Sequence, residues 1–140
     1  MKKTPLSLQE AISHVRDFHN SFGISNADAP TTELSEADIQ LRFDLIKEEN
    51  EEYLEAAQEG NLVEVADALG DILYILCGTM LKHGLQDKME EVFREIQRSN
   101  MSKLGADAKP IYREDGKVLK GPYYFKPNIK KILEMETTTL

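Results

Sequence analysis

Glu48-Glu49-Asn50-Glu51-Glu52 and, beyond the break Glu59-Gly60-Asn61, Glu64-Val65-Ala66-Asp67-Ala68-Leu69-Gly70-Asp71 are the stretches that decide how this chain folds. Residues three or four apart on a helix share a face. Glu48, Glu49 and Glu52 therefore form one acidic patch, and Glu64, Asp67 and Asp71 form another. The connection between them is very short, so two helices joined there must run antiparallel as a hairpin. That hairpin sets the two patches near each other. The second patch lies within one of the most apolar stretches of the chain, Leu62 to Leu81, which holds no Lys or Arg. Carboxylates facing a bundle interior are costly unless something cationic neutralises them. A divalent cation is the natural candidate, and all-oxygen ligation suits Mg²⁺ or Mn²⁺ rather than zinc.

Working outward, the rest of the chain also reads as helix. Ser7-Leu8-Gln9-Glu10 is a capping box that opens a helix to about Phe22, with Leu8, Ile12, Val15 and Phe22 as its apolar stripe. Gly23 ends it, and Ile24 to Glu33 reads as a loop. Ser35 caps the second helix, which runs to about Gln58 and stops at Gly60. Ile39, Phe43, Ile46 and Tyr53 give it an apolar stripe beside its acidic one. Asn61 opens the third helix, which ends near Lys82-His83-Gly84. A fourth, from about Gln86 to Arg98, carries Met89, Val92, Phe93 and Ile96 at helical spacing. In the tail, Ile111-Tyr112-Arg113 and Lys117-Val118-Leu119 flank Glu114-Asp115-Gly116, which predicts a β-hairpin. A terminal turn is expected near 129–133, and residues 135–140 are expected to fray.

The chain has 140 residues, the length of one domain, and a formal net charge of −8. That charge argues against binding a nucleic-acid polymer or a membrane surface, which favour basic proteins. It leaves room for a phosphorylated small molecule screened by metal ions. The one cysteine, Cys77, precludes a disulfide within the chain, which fits a reducing cytoplasm. No signal peptide is apparent at Met1-Lys2-Lys3-Thr4-Pro5. The most apolar helix carries Glu64, Asp67 and Asp71, so it is not expected to span a membrane.

The acidic constellation resembles that of the MazG-like all-α nucleoside triphosphate pyrophosphohydrolases, a superfamily that includes phosphoribosyl-ATP pyrophosphohydrolase and dimeric dUTPases. Its pattern is EExxE on one helix followed by ExxD on the next. Glu48, Glu49 and Glu52 match the first half, and Glu64-Val65-Ala66-Asp67 matches the second. A second register also exists: many relatives read Glu-Leu-Gly-Asp, and Ala68-Leu69-Gly70-Asp71 is similar with Ala in place of Glu. The fourth ligand is thus Glu64, Asp67 or Asp71. The resemblance covers residues 35–104 and a tail like that of a phosphoribosyl-ATP pyrophosphohydrolase-like subgroup.

The resemblance implies an all-α, four-helix-bundle-like MazG-type domain over residues 1–140. Its helical core would span about 7–104 and its hairpin tail about 105–133. It also implies Mg²⁺-dependent cleavage of a nucleotide between its α and β phosphates. Such a transition state spreads charge over phosphoryl oxygens, which metal ions and cationic side chains stabilise. Glu49 and Glu52, with Asp67 and Asp71 or Glu64, are the expected metal ligands. Glu48 is the expected base, or a ligand to a second metal. Asn100 and Lys103, after the fourth helix, are expected substrate contacts, and Lys117 and Lys120 are further candidates. Phe18, His19 and Phe22 are candidates for stacking on a base, although Phe18 and Phe22 read more readily as core. Relatives of this kind pair as dimers or dimers of dimers.

Two other classes compete. A non-catalytic helical adaptor would use the acidic hairpin as an exposed assembly surface. A metal-storage or redox bundle is disfavoured, because His14, His19 and His83 form no Glu-x-x-His.

Overall fold

A computed structural model describes residues 3–136 of the chain. Residues 137–140, and with them most of the segment expected to fray, lie outside the described residues. Among the described residues five helices occur in the order α1 (Leu8–Ser21), α2 (Glu36–Gln58), α3 (Leu62–Lys82), α4 (Met89–Met101) and α5 (Ile129–Glu134). The fold is all-α. The chain divides into two compact units, Met1–Gln86 with α1 to α3 and Asp87–Leu140 with α4 and α5.

In the first unit the caps lie where the residue types place them. Ser7, Ser35 and Asn61 each accept a hydrogen bond from the backbone N–H three residues on, at 3.1, 3.1 and 3.2 Å. Gly60 has φ +69°, a left-handed conformation that costs glycine little, and it turns the chain from α2 into α3. The two helices form the expected hairpin, and α1 packs on α3. Buried apolar residues are Ile12, Val15, Ala56, Ala68, Cys77, Met80 and Leu81. The small Ala56 and Ala68 let the two hairpin helices approach closely.

The apolar stripes fare unequally. On α1, Ile12 and Val15 are buried as expected, but Phe22 is 68% exposed and Phe18 40%, so neither is core. The Phe18 ring packs on Phe22 and edge-on to Tyr74 instead. On α2, Ile39 and Phe43 are exposed, and the inward positions belong to Arg42 and Ala56. On α3, Leu62, Val63, Leu69, Leu73 and Leu76 remain exposed.

In the second unit, α4 begins at Met89 rather than Gln86 and continues to Met101 rather than ending at Arg98. Gln86 is drawn out of the helix by two bonds: its side-chain amide donates to Ala27 O, and its own carbonyl accepts from Gln9. Val92 and Ile132 are the buried apolar contacts of α4 and α5. The α5 turn forms at the expected place, capped by Asn128.

The expected β-hairpin tail does not form. Among the described residues the tail holds a single antiparallel bridge, Tyr112 with Val118, and no sheet. Asp115-Gly116 does turn the chain: Gly116 has φ +88°, and Arg113 N donates to Lys117 O at 2.8 Å. The ladder then stops because Pro110 and Pro122 close it off on both sides. Tyr112 and Val118 are both exposed, so no apolar face is buried to hold longer strands together.

No helix among the described residues is long and apolar enough to cross a membrane.

Candidate functional site

Glu49 occupies the centre of the acidic face. It is half-buried, and its Oε2 is shielded from solvent with no hydrogen-bond partner. Its pKa is pushed up to about 7. Burial is the main cause. The adjacent Glu52 carboxyl group comes next, followed by the negative charges of Glu52, Asp71 and Glu48. The structure therefore brings Glu48, Glu49 and Glu52 of α2 together with Asp71 of α3. Glu48, Glu52 and Asp71 are themselves exposed.

Glu64 does not act as the reciprocal partner of a capping box. The Asn61 backbone N–H donates to Ala56 O at 2.9 Å, which leaves the Glu64 carboxylate free of that role. Glu64 instead lines a cleft of about 300 Å³ with Glu52, Glu55, Ala56 and Glu59. Glu64, Asp67 and Asp71 are all exposed, contrary to the expectation that the α3 patch faces an interior. Leu69 and Leu73 on the same helix are exposed too, so this apolar stretch lacks a covering layer among the described residues.

No three His, Cys, Asp or Glu side chains among the described residues converge in an arrangement ready to hold a metal ion. The chemistry of the donors nevertheless fits one. The set is all oxygen, it comes from two facing helices, and one buried carboxylate oxygen lacks a partner that a hard cation supplies.

In the second unit, Asn100 is exposed and Lys103 half-buried at the end of α4. Lys103 O accepts from Gly121 N at 2.8 Å, which ties the tail to this turn. Lys117 is exposed beside the turn at Gly116. Lys120 sits over the Tyr124 ring, 4.8 Å from its centroid. Arg98 is engaged by Glu95 at 2.8 Å and by the Phe125 ring at 4.9 Å.

His19 does not stack on anything from solvent: it is 2% exposed. Its Nδ1 lies 2.6 Å from Asn26 Oδ1, an oxygen that only accepts, so Nδ1 carries the proton. Burial is the main cause of a lowered His19 pKa. The Asn26 bond opposes the shift, while Arg42 and Lys82 add to it. Sequence reasoning missed the neighbouring Arg42, a single cation on the inward face of α2. The signal was its place between Leu41 and Phe43, with Glu49 seven residues on.

A family model described as phosphoribosyl-ATP pyrophosphohydrolase matches residues 15–100 of the chain. That span contains all six acidic candidates and Asn100, and it excludes Lys103 and Lys117. Forty residues, 29% of the chain, are 55% identical to an uncharacterized protein of Acanthamoeba polyphaga mimivirus. The match spans 16% of that protein's length. The structure is similar to a crystal structure from Exiguobacterium sp. 255-15 provisionally named an NTP pyrophosphohydrolase, with a TM-score of 0.49 and 24% identity over 94% of this chain and 95% of that one.

Proposed function

The chain belongs to the phosphoribosyl-ATP pyrophosphohydrolase family of the MazG-like superfamily, and from that premise we propose that it is a nucleotide pyrophosphohydrolase. Its substrate is a ribo- or deoxyribonucleoside triphosphate or a related nucleotide, phosphoribosyl-ATP among them. Its products are the monophosphate and pyrophosphate. The observation that carries this reading is Glu49, whose buried, unpartnered oxygen lies in a field of three further carboxylates. A helix surface gains nothing from such crowding unless a cation is bound there.

In this reading Glu49, Glu52 and Asp71 hold Mg²⁺ or Mn²⁺, and Glu64 and Asp67 are the remaining candidate ligands. The cation supplies charge neutralisation along the polyphosphate. Glu48, the exposed neighbour, orients and deprotonates the attacking water. Asn100, Lys103 and Lys117 contact the substrate through hydrogen bonds and charge. The exposed apolar side chains of α2 and α3 support assembly as a homodimer or a dimer of dimers. The lone, buried Cys77 supports a cytoplasmic setting.

The test is hydrolysis of a nucleotide panel with Mg²⁺, reading pyrophosphate separately from phosphate. Pyrophosphate release that disappears in Glu49→Gln is the expected result. No cleavage with either Mg²⁺ or Mn²⁺ overturns the reading.

The exposure of Glu64, Asp67 and Asp71 favours one second reading, an acidic helical adaptor. The two separate on thermal stability. A folded cation site raises the melting temperature in Mg²⁺, and an adaptor surface does not.

A further inference from the structure

The most informative group outside the carboxylate face is a buried guanidinium that forms no ion pair with a carboxylate among the described residues. Arg42 is 8% exposed. Its Nε donates to Thr79 Oγ1 and its Nη2 to Ile75 O, both at 3.1 Å. Thr79 Oγ1 donates in turn to Ile75 O at 2.9 Å, which closes a triangle between α2 and one turn of α3. Gly78 sits within that turn. A Cβ there would lie 2.8 Å from Arg42 Nη2 and 3.0 Å from His19 Nε2, so α1, α2 and α3 all meet at this point. The electrostatic influence on Arg42 comes from Asp38, which is itself half-exposed and pairs with Lys82 at 3.8 Å.

The placement of this triangle matters more than its strength. Arg42 is two turns before Glu49 on the same face of α2, and Ile75 is one turn after Asp71 on the same face of α3. The bonds that fix how far α2 is advanced along α3 therefore also fix the approach of Glu49 to Asp71. A slip of one turn moves a side chain by about 5.4 Å, which is more than a metal–oxygen bond or a hydrogen bond tolerates. Buried charges contribute little net stability compared with apolar residues of the same shape, and register is their best-attested use.

We propose that Arg42 is a positioning residue, holding α2 in register on α3 so that Glu49, Glu52 and Asp71 face one another. This rests on the reading of that face as a cation site. Lysine cannot replace it, because the two bonds diverge from a planar fork to two acceptors.

The test compares wild type, Arg42→Met and Thr79→Val by amide hydrogen exchange and by Mg²⁺-dependent thermal shift. Thr79→Val removes one acceptor at nearly constant shape and serves as the deciding variant should Arg42→Met fail to fold. The expected result is faster exchange at 48–52 and 68–73, besides the turn at 75–79 that loses the bonds, with the rest of the unit unchanged. The Mg²⁺ concentration for half-maximal stabilisation rises roughly 10- to 100-fold in Arg42→Met and less in Thr79→Val, the range seen when groups that orient metal ligands are removed. Wild-type exchange at both turns overturns the proposal, and so does exchange raised evenly over the whole unit. A wild-type protein that releases no pyrophosphate counts against the function instead, because the exchange measurement judges Arg42 without any activity.

Discussion

Burial moves Glu49 and His19 of the first unit in opposite directions. It lifts Glu49 towards neutrality, to about 7, and it holds His19 below its ordinary 6.5. For His19 the consequence for stability has a definite sign. Between its lowered folded pKa and 6.5 the unfolded chain binds more protons than the folded one. Stability therefore falls as the pH drops from about 6.5 through the folded pKa, and the full contribution is present above 6.5. Melting temperatures at pH 5 and pH 7.5 should differ more in wild type than in His19→Gln. Equal differences would show that other groups carry the acid sensitivity. The acidic candidates were legible at this scale because carboxylates three and four apart announce themselves in any helix. Arg42 and the burial of His19 were not, because an isolated charged residue shows its partner only after three helices have packed.

The elements follow local rules, and so their ends were readable. Asn61 and Gly60 together make the α2–α3 turn: one satisfies Glu64 N at 3.2 Å, and the other adopts φ +69°. Asn61→Ala should cost about 1 kcal/mol, the usual worth of such a cap. For a chain of this size that is a fall of about 3 °C in melting temperature. An unchanged melting temperature would mean that hairpin packing alone sets the turn. The same local rules misjudged the tail. Asp115-Gly116 is a sound turn signal, and the turn forms, but strands need neighbours and a buried face. Pro110, Pro122 and the exposed Tyr112 and Val118 supply neither. The start of α4 slid to Met89 for a similar reason, since tertiary bonds to Gln86 outweighed its helical spacing.

At the scale of the whole molecule the outstanding feature is apolar surface left uncovered on α3, with Leu69 50%, Leu73 49% and Leu76 40% exposed. Contiguous patches of this kind are uncommon on monomers and mark association surfaces. Sedimentation velocity should therefore show wild type as a dimer or larger and Leu73→Glu as a smaller species. A monomeric wild type would remove the basis for assembly. What the sequence by itself determined is the set of helices, their caps and the pairing of two acidic faces across a hairpin. These depend on periodicity, cap chemistry and a three-residue break, all of which act over a few residues. Only the tertiary structure decided which carboxylates meet, that Glu49 alone among them is half-buried, and that Arg42 rather than Phe43 points inward. Those outcomes depend on the rotation and advance of one helix against another, which long-range packing sets and no short stretch of chain encodes.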